Sequence, residues 1–235
     1  MEVNQYAKKI REKYPNFKIA LGNEIYLVDE RKPGQKYYHF ILIAKDLYGH
    51  QGLHELSSAA WYGMYNDRNM DRVPLLKSEL KDIMQKYKGH IIATTACIGG
   101  ELSTKALAMV NAQKKDDMET ATLAYQDICT FIQYCKDIFG DDFYIECAPS
   151  AQQDQITVNQ KLFKIAQNYH IPMVVATDSH YLTRMDRPIH KAYLNSKDGD
   201  REVDLFYEFT YLMDEKECRE LLNKSFNNDE IINWI

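Results

Sequence analysis

The chain has 235 residues, 45% of them hydrophobic, with a net charge of −5 at pH 7, which allows a buried core in one large domain or two small ones. The acidic balance argues against a protein coated in basic surface, so any nucleic-acid contact must be local or supplied by another region. Five cysteines, odd in number and without a CxxC pair, argue against a disulfide framework or structural zinc finger and fit a reducing cytoplasm; no signal peptide is visible, and the apolar runs are far too short to span a bilayer.

Residues 2–14 are expected to be helical, with Val3, Tyr6, Ala7 and Ile10 on one apolar stripe and Pro15-Asn16 as the stop. Phe17–Leu21 reads as a strand, Gly22-Asn23 as a break, and Glu24–Val28 as a second strand. A turn follows over Arg31–Lys36, then a strong strand over Tyr37–Ala44. The period becomes helical from Leu47 to Met64, Asn66–Met70 reads as a polar loop, and a short helix begins at Leu75 and runs to Tyr87. His90–Thr95 is a buried-type strand running into a Gly99-Gly100 turn with a helix after it. Lys114–Asp117 is a charged interruption. Met118–Phe139 is a helix with Leu123, Cys129, Ile132 and Cys135 inside and Gly140 as its C-cap. Phe143–Cys147 is a strand and Ile156–Tyr169 a helix. Met173–Val175 opens the last apolar run, which ends in Thr177-Asp178-Ser179-His180. Met185–Asn195 is expected to be helical, Gly199 to lie in a loop, Glu208–Met213 to be extended, and 214–234 to be mostly helical with an Asp214/Glu217 capping box. Strand and helix alternate, as parallel pairing requires, and no linker or repeat divides the chain; residues 1–235 are expected to form a single domain.

The chemistry concentrates where strands end. Asp178 and His180 follow a buried-type strand, and side chains two apart on an extended segment face the same way, so the pair reads as two metal ligands or an acid–base couple. Glu24, His39 and Cys97 lie at or near three other strands. Taken singly, each has a plainer explanation: a solvated acid, a core histidine and a buried inert thiol. Taken together, they are the carboxylate, imidazole and thiolate mixture that borderline metals accept, and that multi-metal phosphoesterases use to lower the pKa of a water nucleophile. Glu146 is a weaker candidate on another strand, and His190 a candidate neighbour of the ligands. His50 and His54 share a helix face at i, i+4, without an evident third ligand. The 17 tyrosines are spread through the chain and read as core and cleft walls, not as a base-stacking platform.

These residues resemble a family. Ala176-Thr177-Asp178-Ser179-His180-Tyr181-Leu182 is similar to the last metal motif of the polymerase-and-histidinol-phosphatase (PHP) domain, in the version carried by the alpha subunit of bacterial DNA polymerase III. Ile19–Leu27 resembles the family's "IxGxExYV" strand, Tyr38–Ala44 its "HLxLLA" strand, and Ala96–Leu102 its "GCLGGEL" turn. Ile138–Glu146 resembles "IFGDDFYLE", and the region from Phe209 to Glu217 resembles "FYLKSxEEM".

The resemblance implies an α/β fold, an incomplete, distorted (β/α)7 barrel of PHP type with its metal site at the carboxyl ends of the strands. By motif the ligands would be Glu24, His39, Cys97, Asp178 and His180, holding zinc or manganese, with Asp178 and His180 also catalytic. The family's opening "HxHxxxS" strand and "TDH" motif have no counterpart here, so the chain is expected to be a PHP domain truncated at its N-terminus, without the polymerase core. Three functions follow from the resemblance. The first is a metal-dependent phosphoesterase of 3′–5′ exonuclease type, acting on a DNA 3′ end alongside the remaining polymerase domains. The second is a non-catalytic module that braces the polymerase or docks a separate proofreading exonuclease subunit. The third is a stand-alone small-molecule PHP phosphatase, against which the polymerase-like "GCLGGEL" and "FGDDFYLE" segments count.

Overall fold

The structure, a computed structural model, describes residues 2–67, 69–198 and 205–235. The loop expected around Gly199 and the side chain of Val3 lie outside the described residues. The chain forms two compact units, the first from residues up to Tyr37 with Ile41–Ala93, the second from Tyr38–Phe40 with Thr94–Ile235.

The first unit opens on helix α1 (Glu2–Lys13), which buries Ala7. Strand β1 (Leu21–Val28) follows, then β2 (Tyr38–Ala44), whose first three residues belong to the second unit. Residues 17–20 are not a strand, and Gly22-Asn23 is not a break: β1 runs through both. A Cβ on Gly22 would stand 2.9 Å from the Leu42 carbonyl oxygen, so this glycine permits close backbone approach instead of ending the strand.

Helix α2 (Leu47–Tyr62) is capped by Asp46, whose carboxylate accepts from Gly49 N at 2.8 Å, and it buries Leu53, Leu56 and Ala60. The polar loop expected over 66–70 is instead a hairpin, β3 (Tyr65–Asp67) against β4 (Met70–Arg72), paired Tyr65↔Arg72 and Asp67↔Met70. Its side chains are half-buried or exposed on both faces, so no apolar alternation marks it. Strand β5 (Leu75–Leu76) leads into α3 (Lys77–Lys86), and β6 (Ile91–Thr94) closes the unit. The strand order in this unit is β5-β1-β2-β6, with β1 and β5 parallel in the register Leu27↔Leu75. Leu27, Val28, Leu42, Leu56, Leu75 and Leu80 are fully buried. Arg31 reaches Glu79 through two bonds of 2.8 and 2.6 Å and also donates to the Pro74 carbonyl, a bidentate pair that fixes the chain ahead of α3.

In the second unit, helix α4 (Glu101–Gln113) packs along α5 (Met118–Phe139). The α5 boundaries are set by Asp117, which accepts from Thr120 N, and by Gly140 with φ +56°. Its buried face is Ala124, Ile128, Phe131, Ile132 and Cys135; Leu123 is 55% exposed and Cys129 half-buried, off the face expected for them. Strand β7 (Phe143–Cys147) crosses through α6 (Gln153–Tyr169) to the parallel β8 (Met173–Val175), paired Ile145↔Met173 and Cys147↔Val175. This is a βαβ unit of the expected kind. Helix α7 (Arg187–Asp198) follows, then a 3₁₀ turn over Leu205–Phe209 and a single parallel bridge Tyr181↔Tyr211, where a longer extended segment was expected. Helices α8 (Glu215–Phe226) and α9 (Asp229–Trp234) complete the unit. Asp214 and Glu217 form the expected capping box, with Glu217 N donating to Asp214 Oδ1 at 2.8 Å.

The tyrosines divide in a way the sequence did not announce. Tyr87 and Tyr211 are buried, whereas Tyr6, Tyr62 and Tyr193 are 57–92% exposed. Among the described residues, no helix is long and apolar enough to cross a membrane.

Candidate metal centre

The strand β6 hands the chain to a tight turn, Thr95–Gly100. Ala96 is buried and held at φ +57°, a left-handed conformation that alanine adopts only where the surroundings demand it. Gly100 N closes the turn on Cys97 O at 2.9 Å. A Cβ on Gly100 would stand 2.0 Å from the Thr95 carbonyl oxygen, so only glycine fits. The turn lies against the start of β2: His39 N donates to Gly99 O at 3.2 Å, and His39 bridges Gly100 in parallel sense. His39 Nδ1 and Cys97 Sγ are thereby 3.5 Å apart, both half-buried. An imidazole and a thiol so placed are a donor pair for a borderline divalent ion.

The second pair is built differently from the expectation. The strand β8 ends at Val175, and Ala176 N still donates to Cys147 O at 3.1 Å. Asp178 then turns left-handed, φ +46°, so the Asp178–His180 segment is not extended and the two-residue alternation does not apply. The pair still converges, because His180 Nδ1 lies 2.7 Å from the Asp178 carbonyl oxygen and 3.8 Å from its Oδ1. A carbonyl oxygen only accepts, so in the neutral ring Nδ1 carries the proton and Nε2 the lone pair, the tautomer typical of metal-binding histidines. His180 N donates to Thr210 O at 2.7 Å, and Leu212 N donates to Tyr181 O at 3.1 Å, which pins this loop to the 210–212 segment. The His180 ring stands edge-on to His190 at 5.7 Å and to Tyr207 at 5.1 Å. Burial lowers the His190 pKa, assisted by His180 and Arg187, so the ring beside His180 is held neutral.

Cys97 and Asp178 line one open cleft. The Ala148–Ser150 loop, Gln152, Gln155 of α6, Phe209 and Thr210 line it as well. Asn159, fully buried, fixes that loop: its Nδ2 donates to Ala148 O at 2.8 Å and to Ser225 Oγ at 3.0 Å, while its Oδ1 accepts from Gln155 Nε2 at 2.9 Å. Nothing in the residue order singles out Gln152, because the cleft is assembled from segments distant along the chain.

Glu24 is an exposed residue of β1 in the first unit. Glu146 is buried on β7, accepts from the Thr94 hydroxyl, and gives its N–H to Thr95 Oγ1 at 3.0 Å, which ties β7 to the Cys97 turn. His50 and His54 face each other on α2 with ring centroids 4.5 Å apart, and among the described residues no third ligand joins them. None of the five cysteines forms a disulfide. Burial pushes the Cys147 thiol up to about 12. The native protein will therefore leave Cys147 unalkylated by iodoacetamide at pH 8, and denatured protein will label it fully; peptide mapping that finds native Cys147 labelled would contradict this burial.

A parallel α/β unit with an imidazole–thiol pair and a carboxylate–imidazole pair beside the ends of its strands defines a candidate divalent-metal protein. The comparison with known families carries this further. Residues 1–150 match the PHP domain family, and the chain belongs to it. It is 40% identical over 225 residues to a DNA-directed DNA polymerase of Bacillus phage SPbeta, covering 92% of this chain and 17% of that protein. It is 31% identical to DNA polymerase III subunit alpha of Borreliella burgdorferi, covering 74% of this chain and 14% of that protein. The subunit from Thermus aquaticus is also 31% identical, covering 75% and 13%. The chain thus spans less than a fifth of the length of the curated relatives it matches.

Proposed function

We propose that the chain acts as a single PHP domain of a replicative DNA polymerase, a metal-dependent phosphoesterase of 3′–5′ exonuclease type working on a DNA 3′ end. The observation that carries this is the arrangement in the second unit. His39 and Cys97 present nitrogen and sulfur 3.5 Å apart, and Asp178, on the same cleft as Cys97, aligns His180 through its own carbonyl. The donor set suits zinc or manganese, with Glu24, His39, Cys97, Asp178 and His180 as the ligands that the family's motifs assign. A divalent ion bound there would supply Lewis-acid stabilisation of the phosphoryl oxygens and lower the pKa of the attacking water.

The chain's own residues do the rest. The Asp178 carbonyl fixes the His180 tautomer, so Nε2 is ready to bind an ion or take a proton. The neutral His190 ring beside it adds no competing positive charge. The polymerase names of the relatives favour this reading over a small-molecule phosphatase. Its partners would be DNA and the remaining polymerase domains.

The test is hydrolysis of a 3′-labelled single-stranded oligonucleotide by the purified chain. Release of the terminal nucleotide with added zinc or manganese, and none with EDTA, is the expected result. No release with either ion would leave the non-catalytic reading, a module that braces the polymerase or docks a proofreading subunit.

A further inference from the structure

Helix α2 carries a histidine pair that the candidate metal centre does not use. His50 and His54 lie four residues apart, so both rings leave the same face of the helix. Their centroids stand 4.5 Å apart, with the ring planes at 63°. His54 is exposed, and His50 is half-buried with no nitrogen closed off from solvent. Among the described residues, neither ring forms a hydrogen bond or an ion pair. A contact of this kind on an exposed helix face adds little to stability. The fold therefore leaves four imidazole nitrogens open to water and close together.

The spacing is the one that a shared ion needs. A zinc–nitrogen bond of about 2.0 Å places a ring centroid about 3.2 Å from the ion. Two such ligands, at an angle between a right angle and the tetrahedral one, have centroids about 4.5 to 5.2 Å apart. The His50–His54 spacing sits at the lower end of that range.

The backbone beneath the pair is fixed. Asp46 caps the helix, and His50 N donates to Asp46 O at 2.9 Å. A Cβ on Gly49 would stand 2.0 Å from the His90 carbonyl oxygen, and one on Gly52 2.8 Å from the Tyr87 ring, so α2 lies directly against the 87–90 segment. An ion that joined the two rings would have side-chain rotation to organise, and no backbone. The acids nearest in sequence are engaged elsewhere. Asp46 meets His90 Nδ1 at 2.7 Å, and Glu55 accepts from Lys86 and Tyr87.

We propose that His50 and His54 form a second metal site, a two-imidazole chelate for a borderline divalent ion such as zinc, with water in the remaining positions. It uses none of Glu24, His39, Cys97, Asp178 and His180 and is independent of the exonuclease reading. Two nitrogens hold an ion less tightly than a closed set of four ligands, so the site fills in equilibrium with free ion.

Carbethoxylation by diethyl pyrocarbonate, mapped by mass spectrometry on the full chain, reads each histidine separately. Zinc will protect His50 and His54 together, with one half-protection concentration for both. At ten times that concentration about nine-tenths of the sites are filled, and labelling of both will fall by about tenfold. Magnesium, which takes oxygen ligands, will protect neither. His170, exposed at the end of α6, will label equally throughout. His54→Ala places the best helix former at an exposed helix position and leaves the fold intact. It will raise the zinc concentration that protects His50 by at least about tenfold, since disturbing even an outer partner of a metal costs that much.

Unchanged labelling of His50 and His54 at millimolar zinc would overturn the site. So would equal protection of His170, or protection of His50 that survives His54→Ala. Protection of His39 or His180 without protection of this pair would support the candidate metal centre and remove the site on α2.

Discussion

Replacing Phe40 with alanine will remove about 4 kcal/mol of stability. Phe40 is 1% exposed. It meets Phe131 edge-on with ring centroids 6.1 Å apart, and it is tilted against Phe139 at 6.0 Å. Both partners sit on the buried face of α5, so the ring fixes the start of β2 to that helix. Truncation leaves a cavity among aromatic rings that cannot collapse into it, the situation in which large-to-small changes cost most. The neighbouring residue is His39, so the same change will loosen the His39–Cys97 contact. Urea unfolding followed by circular dichroism checks the first effect, as a lower midpoint with an unchanged slope. A loss below about 1 kcal/mol would mean that the ring is not locked in the core.

Gly100→Ala will cost about 3 kcal/mol through overpacking. The added methyl would stand 2.0 Å from the Thr95 carbonyl oxygen and 3.1 Å from that of Cys97. Both are backbone atoms, so no side-chain rotation relieves the clash, and the turn must open. Opening it breaks the Gly100 N to Cys97 O bond and draws Cys97 away from His39. The expected outcome is a joint loss of stability and of divalent-metal retention. Gly99→Ala is the control: its methyl would lie 3.3 Å from the His39 ring, a contact a side chain can accommodate, and stability will fall much less. Equal losses for the two variants would refute the steric account.

How much of this was legible from residue order depends on how local the cause is. The bounds of α5 and β7 could be read directly, because Asp117, Gly140 and a long apolar period act within the segment itself. The hairpin at 65–72 could not, since both its faces are polar and its pairing leaves no alternation to detect. Gly22 was misleading for a related reason: glycine marks both turns and close approaches, and only the position of Leu42 decides between them. The ligand-type residues were legible as types. The convergence of Asp178 and His180 was expected from an extended backbone and arises instead from a left-handed residue and a carbonyl bond. The cleft wall was not legible at all. Gln152 is an ordinary residue until the loop that Asn159 holds brings it to the cleft that Cys97 lines.

Cobalt substitution tests the metal centre most directly. Cobalt(II) follows zinc into mixed sulfur and nitrogen sites, and a bound thiolate gives a near-ultraviolet charge-transfer band. The chain is predicted to retain cobalt after gel filtration and to show that band. Cys97→Ser should abolish it, while Cys218→Ser, at a half-buried thiol outside the centre, should leave it intact. A protein that retains no cobalt, or whose spectrum is unchanged by Cys97→Ser, would contradict the assignment of a metal to this site.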